Sequence, residues 1–257
     1  ESMPIPSLAG KLVLVTGASG SIGAAIARRL ACDGASVIAH YNSDKTGAEN
    51  VVHEIAAAGG RAEALQADLG HREGPAALIA LLNGTFDGRF AGRLDVLVNN
   101  AGTFDFDTLV DASDESFDLL FDVNVRALFQ LSREAARRMT VTGWGRIINI
   151  GSVFGEAVPG PGLGIYSATK FAVRGLTRAW SRDLGAAGIT VNNVQPAVIQ
   201  SDPAPAAGPA FDAMKRSTSV GRFGKPEEIA EAVAFLANPK AGFINGESLT
   251  VDGGWSA

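Results

Sequence analysis

Tyr166 and Lys170 stand four residues apart at the head of an apolar helical pattern. On a helix, positions i and i+4 share a face about one turn apart, so a phenol and an ammonium project into the same space. A fixed positive charge favours the anionic form of a nearby phenol. Spacing alone therefore predicts a Tyr166 of lowered pKa, suited to exchanging a proton with a carbonyl or alcohol oxygen near neutral pH. Ser152, fourteen positions earlier, closes a short apolar run and can hydrogen-bond the same oxygen. A Tyr and a Lys at this spacing also occur by accident on long helices, so the elements around them must decide.

Those elements begin with Lys11–Thr16, read as a buried strand. The run G-A-S-G-S-I-G follows from Gly17 to Gly23, and then a helical pattern with Ile22, Ile26 and Leu30 on one face, stopped at Gly34. Ser36–His40 reads as the next strand. Strand, glycine-rich turn, helix and strand within about thirty residues is the setting a dinucleotide site requires. Glycines admit a pyrophosphate close to the backbone, and the helix N-terminus offers free N–H groups and a positive dipole end. No acidic residue closes the second strand to hold a ribose 2′-hydroxyl. Asn42 and Ser43 stand there instead, with Asp44 and Lys45 beyond them, and can donate hydrogen bonds to a 2′-phosphate.

Further along, a helix is expected over about Thr46–Ala58 and a strand ending at Gln66–Leu69. Residues 83–93 read as an exposed Gly-rich connection. Leu94–Asn99 is a strand followed by Asn100-Ala101-Gly102, and Asp114–Met139 is one long helical pattern that contains Asn124. Arg146–Ile150 is the strand that delivers Ser152, and the Tyr166 helix is expected to run to Leu184. Thr190–Gln195 is a strand ending at Pro196-Ala197, and a helix starts near Pro226, where Pro and two acids make a good N-terminus. A last strand lies in G-E-S-L-T-V-D-G-G.

Taken in this order, the glycine loop, N-N-A-G, an internal Asn, a Ser and Y-x-x-x-K resemble the classical short-chain dehydrogenases/reductases. The resemblance runs from about Leu8 to Gly254, with Ser21 where a middle Gly is usual and Ala197 where Gly is usual. It implies an α/β doubly wound Rossmann fold: about seven parallel strands in order 3-2-1-4-5-6-7 with helices on both faces. Residues 1–257 would form a single domain, with a tail at 1–7 and a substrate lid over 200–222 in which Phe211 and Met214 touch substrate. It further implies four catalytic residues, Asn124, Ser152, Tyr166 and Lys170, with Asn124 binding a proton-relay water. Cofactor contacts would come from Gly17, Ser19, Ser21, Ile22, Asn42, Ser43, Asp68, Leu69, Asn99, Ala101, Gly102, Tyr166, Lys170, Pro196, Ile199 and Ser201. The cofactor expected is NADP(H), with NAD(H) as the alternative, and the partners a small ketone or alcohol and three further copies in a homotetramer.

Composition narrows the classes. Net charge is −5 with both signs interspersed, and no basic stripe speaks for nucleic acid. No apolar run reaches the roughly 18 residues of a membrane span, and no leader-type run precedes the first strand, the pattern expected of a cytoplasmic chain. Cys32 is the only cysteine, and His40, His53 and His71 are scattered, so a metal site is not expected and the histidines read as surface or strand-end residues. An acyl-carrier protein as substrate carrier would call for basic residues at the mouth. Arg126, Arg133, Arg137 and Arg138 on the long helix answer that equally well as a solvated face, so a small-ketone reductase is the preferred expectation.

Overall fold

A computed structural model of the chain describes residues 7–200 and 209–257. Seven strands form one sheet: β1 Leu12–Val15, β2 Ser36–Tyr41, β3 Arg61–Gln66, β4 Val96–Asn99, β5 Gly145–Ile150, β6 Ile189–Pro196 and β7 Ser248–Val251. Every pairing is parallel and the order is β3-β2-β1-β4-β5-β6-β7. Parallel sheets are covered on both faces, which is why the central strands are continuous apolar runs. Alternation splits each strand between two cores. Val13 and Val15 join Ile26, Leu30 and Val233 on one side, while Leu12 and Leu14 join Leu78, Leu131 and Met139 on the other. The helices of the first side include α1 (Ser21–Cys32) and α2 (Lys45–Ala57); α3 (Gly74–Leu81) lies on the second. The edge strand β3 carries Arg61, Glu63 and Gln66 and stays partly exposed, as edge strands do.

The sequence breaks direction beside β1: the chain runs outward to β2 and β3, then crosses back to β4. That reversal opens a crevice beyond the carboxyl ends of β1 and β4, where ligands bind in such sheets.

Two expectations need correction. The connection at 83–93 is not a merely exposed loop. Leu82, Thr85 and Phe90 are buried, Phe86 and Phe90 meet edge to face at 5.7 Å, and Glu63 accepts from the Phe86 N–H at 2.7 Å. Its aromatic spacing, not its glycines, sets its fate. The helix expected over Asp114–Met139 is α4 (Asp114–Phe121), a π-helical turn over Asp122–Ala127 and α5 (Leu128–Thr142). Such turns are rare and concentrate at functional sites. The remaining helices are α6 (Gly164–Leu184), α7 (Pro209–Arg216) and α8 (Pro226–Ala237), the last packed on the same side as α1. Of the expected lid, residues 201–208, including Ser201, lie outside the described residues, as do the side chains of Phe211 and Met214. No described helix is long and apolar enough to cross a membrane.

Candidate active site

A groove of about 700 Å³ lies beyond the carboxyl ends of the strands, lined in part by Gly17, Ser19, Ser21, Ile22, Asn42 and Ser43. Asp68, Leu69, Ala101, Gly102 and Ile199 line it too. Its floor is laced by side chains from two strand ends. Thr16 Oγ1 accepts from the Asn100 and Ala101 N–H groups, both at 2.9 Å. Asn100 Nδ2 donates to the Thr16 and Gly17 carbonyls at 2.8 and 3.2 Å. Asn100 and Thr16 stand inside the two motifs, yet spacing gave them no role.

The special backbone angle falls at Gly17, φ +65°, where an L side chain would be strained. Gly20, at φ −83° and ψ 161°, is in extended backbone open to any residue, and Ser21 simply begins α1. A serine in the place of the usual glycine therefore costs the loop no special conformation. The same holds at Ala197, since Phe86 and Asp87 are the non-glycine residues with positive φ among those described.

His40, expected at a surface or strand end, is buried. Its Nδ1 accepts from the Gly17 N–H at 3.1 Å, and its Nε2 donates to the Ala67 carbonyl at 3.0 Å. Both bonds together require the neutral ring with its proton on Nε2. Burial holds the pKa below the usual 6.5. A lowered folded pKa stabilises fully above 6.5 and progressively less as pH falls through the lower value. His40→Asn keeps an acceptor and does not titrate. On acidification below pH 6.5, the melting temperature of the parent protein should drop faster than that of His40→Asn; parallel curves would dismiss this latch.

At the far end of the groove, Asn42 and Ser43 are exposed, while Asp44 turns its carboxylate to cap α2 through the Gly47 N–H at 2.9 Å. Asp68 does not cap the next helix; it closes its own turn on the Gly70 N–H at 2.9 Å. Asn99 is a correction: its side chain leaves the groove and donates under the sheet to Ser132 and Asn149, both at 2.9 Å. Pro196 is buried at the end of β6.

At the other end of the groove, a Cβ placed on Gly102 would lie 3.7 Å from Lys170 Nζ and 3.3 Å from Asn124 Oδ1. Ser152 follows β5 and caps the next turn, where its Oγ accepts from the Phe154 N–H at 3.2 Å, and its hydroxyl acts on the Tyr166 phenol. The three expected groups Ser152, Tyr166 and Lys170 are thus brought together beside the groove. Their electrostatics differ from the expectation. Burial raises the Tyr166 pKa above 10, and the Ser152 hydroxyl offsets only part of this. Lys170 donates to the Ile150 carbonyl at 3.0 Å and lies 5.5 Å from the centre of the Tyr166 ring. Burial pulls its own pKa down to about 8. The ammonium is thus directed at a backbone oxygen, and desolvation wins over charge attraction at the phenol.

Asn124 has its side chain committed. Oδ1 accepts from the Thr103 N–H, and Nδ2 donates to the Thr103 carbonyl, both at 2.8 Å. Nδ2 also donates to Thr169 Oγ1 at 3.1 Å, and that hydroxyl donates to the Tyr166 carbonyl at 2.6 Å. The amide thus ties the loop after β4 to the head of α6, which is a positioning task.

No cluster of metal-binding side chains exists among the described residues. The groove instead has the form a dinucleotide needs: glycine backbone where a Cβ would intrude and a helix N-terminus alongside. Residues 17–256 match the profile of the family described as enoyl-(acyl carrier protein) reductase. With that match and the relatives below, the chain belongs to the classical short-chain dehydrogenase/reductase family of oxidoreductases. It is 40% identical over 248 residues to the cyclic-di-GMP-binding biofilm dispersal mediator protein of Escherichia coli (strain K12), covering 96% of this chain and 98% of that one. It is 40% identical over 245 residues to a 3-oxoacyl-acyl-carrier-protein reductase of Staphylococcus aureus, covering 95% and 97%. A short-chain dehydrogenase of Burkholderia cenocepacia, solved in complex with NADP, superposes with a TM-score of 0.89 at 41% identity, covering 98% of this chain and all of that one.

Proposed function

We propose that the protein is an NADP(H)-dependent reductase that converts a ketone to a secondary alcohol, reversibly. The observation that carries this reading is the gathering of Ser152, Tyr166 and Lys170 where the groove passes Gly102. When bound, the cofactor supplies the hydride. Tyr166, held protonated by burial, gives its proton to the developing alkoxide. Ser152 donates to the same oxygen as charge forms on it. Lys170 holds the ribose hydroxyls of the nicotinamide half and, once charged against them, favours the phenolate that remains. Asn124 keeps the loop after β4 and α6 in register.

Preference for the 2′-phosphate is supported by the groove's far end. It presents Asn42 and Ser43 there, and the nearby carboxylate of Asp44 is spent on α2. A small ketone is favoured over a carrier-bound one because the four arginines of the α4–α5 segment already have partners. Arg126 pairs with Asp122, Arg137 with Glu134 at 2.6 Å, Arg133 lies over Phe129, and Arg138 bonds the Arg93 and Ile79 carbonyls. The reading includes a lid over 200–222, a cytoplasmic location and a homotetramer, the last alone supported by the exposed Ala168, Phe171 and Gly175 on α6.

The test is NADPH oxidation followed at 340 nm against a ketone panel, repeated with NADH. One or two charge-assisted hydrogen bonds to the 2′-phosphate give NADPH about 10- to 100-fold higher kcat/KM. Equal use of both nucleotides would remove the cofactor preference. Absence of turnover with every ketone would remove the reductase.

A further inference from the structure

The ring of Tyr166 sits inside a row of aromatic rings that the reaction itself does not need. Phe104 meets the Tyr166 ring at 6.4 Å and 76°, and Phe154 meets it at 6.3 Å and 82°. Phe106 extends the row beyond Phe104 at 5.4 Å, and Trp255 extends it beyond Phe154 at 5.7 Å. The rings come from distant parts of the chain: the loop after β4, the turn after β5, the head of α6 and the C-terminus. Edge-to-face contacts at these distances are the geometry aromatic groups prefer among themselves.

Two of these rings are left open. Phe104 is 65% exposed and Phe106 63% exposed. Their loop is held firmly, so the exposure is built in. Thr103 is clamped by Asn124, the Phe106 N–H bonds Asp105 Oδ1, and Asp105 Oδ2 accepts from Ser116 at 2.8 Å. Adjoining apolar rings held open beside a reactive group mark a binding surface. Phe104 also lines the cofactor groove, so its ring spans the reactive hydroxyl and the groove.

Charge narrows the ligand further. Residues 103–125 contain seven Asp or Glu and no Lys or Arg. Arg174 on α6 is paired with Glu156 at 2.9 Å. A carboxylate or phosphate on the substrate would meet a negative rim.

We infer that the substrate is an uncharged aryl ketone whose ring lies against Phe104 and Phe154, beside Tyr166, with its carbonyl oxygen at the Tyr166 hydroxyl. The inference rests on the reductase reading above. In the step it implies, the carbonyl carbon gains hydride from NADPH, the oxygen gains the Tyr166 proton, and solvent restores that proton.

The test uses the whole chain with NADPH and four probes: acetophenone, 2-acetylnaphthalene, ethyl acetoacetate and 4-acetylbenzoate. The two neutral aryl ketones should show kcat/KM at least about tenfold above the aliphatic ester, and 4-acetylbenzoate should fall below acetophenone at low salt. In Phe104→Leu and Phe154→Leu, the ratio of aryl to aliphatic kcat/KM should drop about tenfold, with NADPH affinity measured alongside by fluorescence. Preference for ethyl acetoacetate, or an unchanged ratio in both variants, overturns the aromatic slot and leaves the reductase standing. Failure with all four probes overturns both.

Discussion

Tyr166→Phe should fold, keep most of its NADPH affinity and reduce ketones about a thousandfold more slowly, the middle of the range for losing a general acid. The ring stays, and with it the edge contacts to Phe104 and Phe154. Only the hydroxyl is lost, while Ser152 Oγ retains the Phe154 N–H. Because burial keeps the Tyr166 pKa above 10, the parent enzyme carries its proton throughout the neutral range, and its loss should be equally severe from pH 6 to 8. Single-turnover absorbance at 340 nm with a fluorescence titration of NADPH separates chemistry from binding. Activity close to the parent's would end the proposed mechanism.

Gly23→Ala should all but abolish nucleotide binding. A Cβ there would stand 2.2 Å from the Gly17 carbonyl oxygen and 2.6 Å from Asn100 Nδ2. Neither neighbour can yield cheaply. Gly17 is fixed at φ +65° and held by His40, and Asn100 is tied to Thr16. Helix propensity alone favours alanine by up to about 1 kcal/mol, so it predicts the opposite sign. Overpacking against backbone costs about 1–3 kcal/mol, roughly 5 °C in Tm for a chain of this size, and it splays the loop the pyrophosphate must meet. NADPH affinity should fall at least about a hundredfold. Gly20→Ala is the control for the fold: its Cβ would lie 3.6 Å from the Gly17 oxygen, an ordinary contact, and should change Tm little. Equal behaviour of the two variants would refute the steric account.

Strand positions were legible because apolar runs and glycine turns repeat one unit, and their order followed from the family resemblance. Gly164–Leu184, likewise, is bounded by the same chemistry in sequence and structure. What spacing did not carry was direction. Asn99 falls on the same side of β4 as Leu97, two residues back, and so faces Ser132 on α5; period-two counting holds that information, but the N-N-A-G motif hides it. His40 reads as a polar strand end because its partners, Gly17 and Ala67, are 23 and 27 positions away. The π-helical turn leaves no mark in the apolar pattern of Asp114–Met139. The Tyr166 pKa needed burial, which no i, i+4 count contains.

Lys170 has a consequence for the whole fold. An ammonium enclosed by protein, with its pKa near 8 instead of 10.5, is a buried charge at neutral pH that opposes folding. The sign follows from the lowered value: the penalty is full below pH 8 and fades as alkali strips the proton. Tyr166 acts the other way only above pH 10, where its raised pKa resists ionisation. Between those limits titration of the lysine is the larger influence of the two, so the Lys170 penalty shrinks in mildly alkaline solution, and a residue beside the groove is also a built-in weak point of the resting fold.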